Sequence, residues 1–378
     1  MSAPQRTSWT WLRSGGEALA AMLAAIREAQ VSICLEVYIF VASPIGEQFR
    51  EELIAARKRG VRVRVLVDAL GSYTLPDSFW GPLRLAGGEA KFFNPLALKR
   101  MGIRNHRKLM VCDGRIAFVG GFNIAPEYDG DGVTKGWFDL GIKLEGPMVG
   151  PLAESFDEMF DLADFRHKRF ARLRRFPLKR VEILPTERLL LSGPGRGFNP
   201  IRRAVQKDLA KVRHAQLIVA YFLPTGKLWR AFRRVAKHGG RLQLFLAGKS
   251  DVLLSQLAAQ SLYRRLLRSG VEIQEYQPQI LHAKLFVLDD VVYVGSANLD
   301  PRSLGINYEL MLRFENVQMA SEARDIIAAA LLNCRQVKLP EWQGTRTFWK
   351  RLKRRWAYFI LARIDPYLAW RQWRALPD

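Results

Sequence analysis

The 378-residue chain is poor in acid, in histidine and in cysteine, and it has no long uncharged apolar run. Its 36 Asp and Glu face 59 Lys and Arg, a formal charge of +23. Such a field attracts polyanions but does not choose among DNA, RNA and anionic lipid. The three cysteines, Cys34, Cys112 and Cys334, stand far apart in apolar stretches, with no CxxC and no Cys/His cluster. A disulfide framework and a zinc site both fall away, and a reducing compartment is the default. With no stretch of about twenty uncharged residues, no segment is expected to span a bilayer by itself. The N-terminus reads as carrying no signal peptide, because its apolar stretch from Ala18 to Ile26 is short, follows Glu17 and suits an amphipathic helix. What the chain does have is bulk: 49% hydrophobic residues and enough length for two domains, so a sizeable core is expected.

Histidine is scarce, at five in the whole chain, which makes the position of two of them informative. Asn105–Asn123 reads NHRKLMVCDGRIAFVGGFN, and Leu281–Asn298 reads LHAKLFVLDDVVYVGSAN. Each copy runs His-x-Lys and reaches an Asp five residues later: His106, Lys108, Asp113, then His282, Lys284, Asp289. A lone His-x-Lys is weak evidence. The full spacing found twice, each time leading into an apolar run and a Gly-rich turn ending in Asn, is not. Alternation of side chains along a strand puts His106 and Lys108 on one face, and His282 and Lys284 on another. If those faces meet, two imidazoles and two ammoniums surround one tetrahedral phosphate. One imidazole attacks phosphorus while the other protonates the leaving oxygen. The lysines offset the phosphoryl charge, so the site needs no metal or other cofactor. Asn123 and Asn298, beside Gly120-Gly121 and Gly295-Ser296, are placed to donate to the same oxygens.

The flanking sequence repeats as well. Gly15–Gln30 reads as a helix, Val31–Val41 as a buried strand, Pro44–Arg59 as a helix closed by Gly60, and Val61–Asp68 as an alternating strand. Phe79–Phe93 adds a helix and a short strand. The second half follows suit, with strand Ala215–Leu223, helix Pro224–Lys237, strand Gly240–Ala247, helix Leu253–Ser269 and strand Val271–Tyr276. Pro44 and Pro224 are placed to start their helices, and Gly60 and Gly240 to close them, at a common spacing of 180. The fold class is α/β with parallel β-α-β units, duplicated, and neither copy can assemble the site alone. Aligning the stretches after the two motifs, Trp137–Glu145 and Asn307–Glu315, sets Asp139 opposite Glu309 on equivalent strands.

The repeated pattern resembles that of the phospholipase D superfamily, HxKxxxxD followed by six residues and then G(G/S)xN. The first copy fits throughout. In the second, Gly295 comes one residue early, which implies a tighter hairpin at Asp289-Asp290. The stretches GGEALAAMLAAIREAQVSICLEVYIF, RNHRKLMVCDGRIAFVGGFN and SANLDPRSLGINYEL are similar to bacterial cardiolipin synthases that lack N-terminal membrane-spanning helices. The resemblance runs from about Arg13 to Arg335. It implies two lobes, each a mixed sheet flanked by helices, with one active site at their pseudo-twofold interface. It also implies phosphatidyl transfer through a phosphohistidine, with phosphatidylglycerol as donor and a second phospholipid or glycerol as acceptor. By the same resemblance an acidic residue after each motif orients a histidine through Nδ1–H, a role that falls on Asp139 and Glu309. Asp113 and Asp289 belong to the motif but read as structural, holding their turns. The resemblance names His106 as nucleophile and His282 as general acid and then base; the near-symmetry of the copies leaves that order open.

Residues 1–165 are thus expected to form an N-terminal lobe, 166–190 a basic linker, 191–340 a C-terminal lobe and 341–378 a tail. Arg166–Arg180 packs eight Lys/Arg into fifteen residues, and the tail holds five of the ten tryptophans, Trp342, Trp349, Trp356, Trp370 and Trp373. The run Phe348–Arg363 has the basic, aromatic character of a helix lying among lipid headgroups. At about 1 kcal/mol for each basic residue near an anionic surface, a handful can hold the protein there. Packing of this helix on the protein's own surface, and binding of nucleic acid by Arg and Trp, are the rival readings. The expected location is peripheral on the bacterial inner membrane, on its cytoplasmic face. A hydrolytic phosphodiesterase or nuclease of the same superfamily differs only in the acceptor, about which the motifs say nothing. A binding protein with a degenerate site is disfavoured, because both motif copies are intact. Oligomeric state is open.

Overall fold

The computed structural model describes residues 6–95, 102–163, 180–194, 199–224, 226–344 and 347–374. The first half runs β1 (Ser8–Leu12), α1 (Gly15–Glu28), β2 (Ser32–Val37), α2 (Pro44–Lys58), β3 (Arg62–Asp68), α3 (Gly81–Leu85), β4 (Glu89–Phe93), β5 (Leu109–Cys112), β6 (Ile116–Gly120), β7 (Gly141–Glu145) and α4 (Val149–Asp161). Its seven strands form one mixed sheet in the order β1-β7-β6-β5-β2-β3-β4. Strands β2, β3 and β4 run parallel, as the β-α-β reading requires, and β5 returns antiparallel to β2. Local sequence explains the helix ends. Ser14 and Ser43 cap α1 and α2 by accepting from Glu17 and Gly46 N–H. Pro44 opens α2, and Gly60 leaves it in the left-handed region at φ 92°.

The second half repeats this plan: β8 (Arg180–Leu184), β9 (Glu187–Ser192), α5 (Pro200–Leu209), β10 (His214–Val219), α6 (Gly226–Lys237), β11 (Arg241–Ala247), α7 (Leu253–Leu267), β12 (Glu272–Tyr276), β13 (Lys284–Leu288), β14 (Val291–Gly295), β15 (Glu309–Glu315), α8 (Val317–Leu331) and β16 (Cys334–Gln336). Its sheet has the order β16-β12-β11-β10-β13-β14-β15-β9-β8, and β10, β11 and β12 are its parallel core. The sheet therefore takes in Arg180–Leu184 and Glu187–Ser192, so the stretch expected as a linker ends in two paired strands. The rest of the basic junction, 164–179, lies outside the described residues.

The spacing of 180 holds less well than the sequence implied. Helix α6 begins at Gly226, two residues past Pro224, and Gly239, not Gly240, takes the left-handed conformation at φ 76°. Gly240 is small for a different reason: a Cβ there would lie 2.7 Å from the Arg213 carbonyl oxygen. The tighter second hairpin is present. Leu288 pairs directly with Val291 across Asp289-Asp290, whereas Cys112 pairs with Ile116 across three residues.

The halves share a core. A single buried cluster takes Val119, Ile142 and Leu144 from the first sheet and Leu285, Val294 and Leu312 from the second. The seam is thus as dry as either lobe, and it holds the two motifs at a fixed separation. Past it come α9 (Leu339–Gly344), α10 (Phe348–Phe359), a π-helical turn at Ile360–Ile364 and α11 (Asp365–Arg374). Helix α10 packs its inner face on the second lobe. Ala357 is buried, Trp342 packs at a tilt against Tyr263 with ring centroids 4.8 Å apart, and the Arg354 guanidinium lies 4.2 Å from the Trp342 ring centroid. Self-packing thus accounts for one face of the tail. The other face exposes Phe348, Trp349, Trp356 and Phe359.

Candidate active site

Four backbone hydrogen bonds across the seam build the site. His106 N–H donates to Tyr308 O at 2.9 Å, and Tyr308 N–H to Arg104 O at 2.9 Å. On the other side His282 N–H donates to Phe138 O at 2.8 Å, and Phe138 N–H to Ile280 O at 2.8 Å. Each histidine is thereby laid beside the residue that precedes the other lobe's acid. The pairing of side chains is crossed: His106 Nδ1 lies 3.1 Å from Glu309 Oε2, and His282 Nδ1 lies 2.7 Å from Asp139 Oδ2. Both carboxylates are fully buried. A carboxylate at Nδ1 turns each Nε2 towards the cleft.

His106, Lys108 and His282 sit in the extended lead-ins just before β5 and β13, not within the strands. The period of two still holds, for Arg107 points the opposite way, to Glu36 at 3.1 Å and to Ser155. Lys108 Nζ donates to His106 O at 2.7 Å and lies 5.2 Å from the Tyr38 ring centroid. Lys284 Nζ donates to His282 O and lies 3.0 and 3.1 Å from the two ring nitrogens of His282. Burial pushes Lys108 down to about 7 and Lys284 down to about 8. Burial also raises the Glu309 carboxyl to about 8. His106 is driven well below its usual value, by burial first and then by Lys108. His282 is lowered by burial and then Lys284, while the Asp139 carboxylate pulls it back up. Burial thus pushes both lysines, both histidines and Glu309 towards their neutral forms.

The two aspartates of the repeated pattern lie at the far end of the hairpins. Asp113 accepts from the N–H groups of Gln30, Val31 and Ser32 at 2.9, 2.7 and 2.8 Å. Asp289 accepts from Arg213 and His214 at 3.0 and 2.9 Å. Both are left-handed, at φ 54° and 50°. They staple the hairpin turn to the start of β2 and β10, which fixes how each strand enters the site. Neither lines the cleft that the two histidines share, and the contacts of each are those of a turn brace.

The expected phosphate ligands divide. Asn298 lines the cleft, and its Oδ1 accepts from Tyr221 N–H at 3.2 Å. Asn123 makes the equivalent bond from Ile39 N–H at 2.9 Å, but its Nδ2 donates to Tyr128 Oη at 2.8 Å. Both ends of Asn123 are spent inside the protein, so it braces the cleft wall. The Ser296 hydroxyl donates to Glu309 and accepts from Leu310 N–H at 3.0 Å. It therefore holds the acid and does not face a phosphate. The two copies differ at this position, Gly121 against Ser296, for a steric reason. A Cβ on Gly121 would sit 2.2 Å from Asp139 Oδ1, so the shorter acid is seated where the second copy keeps a hydroxyl. The backbone N–H groups of Gly121 and Ser296 are likewise taken, by Leu140 O and Leu310 O.

Both histidines open into one cleft of about 520 Å³. Aromatic side chains hold the rings: Tyr38 stands edge-on to His106 at 5.0 Å, and Tyr128 and Trp137 flank His282 at 5.4 and 5.6 Å. Arg104, Arg302, Asp251 and Asp300 supply charge, and Leu70, Tyr73, Leu223, Val252 and Leu361 make an apolar wall. Sequence reasoning missed these. Tyr38 and Tyr221 could have been found, since they follow the carboxyl ends of β2 and β10, where sheets of parallel strands place ligands. Among the described residues no cluster of His, Cys, Asp or Glu is arranged to hold a metal.

Comparison with known proteins gives the family and the fold. A family model described as cardiolipin synthase, PLD-like domain, matches residues 22–135 and 207–331, one region in each lobe. The chain is 32% identical over 376 residues to cardiolipin synthase B of Escherichia coli K12, covering 95% of this chain and 89% of that protein. It is 32% identical over 322 residues to cardiolipin synthase 1 of Bacillus cereus, covering 82% of this chain and 63% of that one. Among solved structures, the phosphatidylserine synthase of Haemophilus influenzae Rd KW20 has the same fold, with a TM-score of 0.75 at 14% identity, covering 96% and 94% of the two chains. Two copies of one motif, facing across a shared core and matched lobe by lobe, place this chain in the cardiolipin synthase family with phospholipase D-like domains.

Proposed function

We propose that the protein is a phosphatidyltransferase of the cardiolipin synthase type that works through a phosphohistidine on His106, with phosphatidylglycerol as donor. In the first half-reaction the Nε2 lone pair of His106 attacks phosphorus. The bond from phosphorus to the headgroup oxygen breaks, and His282 Nε2–H passes its proton to the departing glycerol. In the second, His282 takes the proton of an acceptor hydroxyl, whose oxygen attacks phosphorus as the N–P bond breaks. Lys108, Lys284 and Asn298 hold the phosphoryl oxygens, and Glu309 and Asp139 orient the two rings. The observation that carries this reading is the crossed pairing of two buried imidazoles with two buried carboxylates at the head of one cleft. Support for this order comes from an asymmetry between the two rings: burial lowers His106 well below its usual value, which favours the neutral nucleophile, whereas Asp139 at 2.7 Å offsets part of the lowering of His282 by burial and Lys284.

The acceptor is a second phospholipid or glycerol, and the site of action is the surface of the bacterial inner membrane, on the cytoplasmic face. Support comes from the tail. The outer face of α10 carries Phe348, Trp349, Trp356 and Phe359 beside Lys350, Arg351 and Arg355. Tyr73, on the cleft wall, is 72% exposed. The three cysteines are free, as the reducing side of a membrane requires. Among the described residues no helix is long and apolar enough to cross a bilayer.

Incubation with phosphatidylglycerol vesicles in the presence of a chelator, followed by thin-layer separation, tests the reaction. Cardiolipin and free glycerol are the expected products. Phosphatidic acid alone would mean hydrolysis, and no lipid change with cleavage of single-stranded DNA would mean a nuclease. Peptide mapping of the acid-quenched enzyme should place the phosphatidyl label on His106; a label on His282 reverses the order.

A further inference from the structure

Condensing two phosphatidylglycerols brings two phosphodiesters into one cleft. The first is handled by the histidines and lysines. The second, on the acceptor, keeps its negative charge throughout and ends a glycerol's length from the first.

Arg302 lies in that cleft, four residues past Asn298. Its planar fork is already filled. Nε donates to Asp365 Oδ2 and Nη2 to Asp365 Oδ1, both at 2.7 Å, and Nη1 donates to Gly102 O at 3.4 Å. The paired carboxylate comes from the opposite end of the second half, at the close of the π-helical turn that follows α10. Asp365 also lines the cleft, next to Leu361 of the same turn. An Arg fork that grips a carboxylate through two parallel bonds has the shape that grips a phosphodiester. The Arg302 side chain keeps 38% of its surface open and Asp365 23%, so the pair borders on free volume and is not sealed in the core. Arg104, buried 3.6 Å from Asp68, adds fixed positive charge to the same cleft.

We propose that Arg302 is the residue that recognises the phosphodiester of the acceptor lipid, and that Asp365 occupies its fork until that lipid arrives. This rests on the transfer reaction argued above and adds an acceptor subsite to it. The acceptor's phosphodiester displaces the Asp365 carboxylate, one anion for another, with no covalent step. A phospholipid acceptor is thereby favoured over glycerol or water, which bring no charge to the fork.

Two variants separate this from a simple brace. In mixed micelles of phosphatidylglycerol and labelled glycerol, cardiolipin formation is measured beside headgroup exchange, the same chemistry with an uncharged acceptor. Arg302→Gln should lower the ratio of cardiolipin to exchanged lipid on the order of tenfold to hundredfold, the loss of one charge-assisted contact. Asp365→Asn, which removes the competing anion, should raise that ratio or lower the phosphatidylglycerol surface concentration needed for half-maximal rate. If the pair only braces the tail, both variants break the same contact and both ratios move together; that result overturns the proposal. So does an Arg302→Gln enzyme whose two reactions fall equally. Absence of both reactions in the wild-type protein would instead sink the transfer reading on which the proposal rests. Thermal unfolding of both variants confirms that the comparison is between folded proteins.

Discussion

His106 and Glu309 stand 203 residues apart in the chain, yet Nδ1 of the one lies 3.1 Å from Oε2 of the other. The first lobe's imidazole is oriented by the second lobe's acid, and His282 is oriented by Asp139 in return. A lobe cut from its partner would lose the acid that fixes its own histidine, so the two halves form one catalytic unit.

The crossed acids should act on different steps. Asp139→Asn withdraws the carboxylate that supports His282 as proton donor, and the expected loss is about 10–100-fold for phosphatidylglycerol. A phosphatidyl substrate with a nitrophenol leaving group needs little protonation, so it should recover most of that loss. Glu309→Gln impairs His106 instead, and the better leaving group should not rescue it. Parallel rates on the two substrates check the assignment, and equal rescue of both variants would contradict it.

Gly121→Ser copies into the first lobe the residue that the second lobe carries at Ser296, yet it should inactivate the enzyme. The new Cβ would fall 2.2 Å from Asp139 Oδ1 and displace the carboxylate from His282. Turnover should drop at least as far as in Asp139→Asn, with a melting temperature near that of the parent. Ser296→Gly removes the hydroxyl donor to Glu309 and should cost less, because Glu309 keeps its place beside His106.

Asp113→Ala and Asp289→Ala should spoil stability more than chemistry. Each deletes an acceptor for two or three backbone N–H groups at the base of a hairpin, worth about 1–3 kcal/mol in unfolding free energy. Denaturant titration should show the lower midpoint, while turnover per folded molecule at low temperature stays within a few-fold of the parent. A complete loss of turnover in the folded variants would assign them a chemical part.

Anion binding should draw protons from solution. Burial pushes Lys108 down to about 7 and Lys284 down to about 8, so near pH 7.5 Lys108 is largely neutral and Lys284 only partly so. A bound phosphate favours their charged forms and moves both values back towards the ordinary one of 10.5. The sign is uptake, and affinity should weaken as pH rises beyond about 8. Calorimetry with inorganic phosphate in two buffers of different ionisation enthalpy measures the proton count; release of protons would contradict the assignment.

Membrane attachment should depend on the outer face of α10. Replacing Trp349, Trp356 and Phe359 with Ser removes exposed aromatic surface without touching Ala357, which packs inward. Flotation with anionic liposomes should fall several-fold while the melting temperature holds. Unchanged recovery would move the lipid-binding surface elsewhere.

Much of this protein was decided along the chain itself. The motif spacing, the β-α-β order and the small residues at turns are local signals, each imposed by a strand period, a helix cap or a left-handed φ. They sufficed for the duplicated α/β fold, and they marked out the two His–Lys pairs and the turns at which Asp113 and Asp289 sit. The alignment of Asp139 with Glu309 was also legible, because equivalent strands carry equivalent residues. Which acid serves which histidine was not, since that depends on bridges between Tyr308 and His106 and between Phe138 and His282, whose partners lie far apart in sequence. Side-chain direction was hidden for the same reason: Asn123 and Ser296 have the chemistry of phosphate ligands, and only packing turns the one onto Tyr128 and the other onto Glu309. The return of Asp365 to Arg302 is the extreme case. No periodicity connects those two residues, and only the tertiary fold, by laying the tail over the cleft mouth, brings carboxylate and guanidinium together.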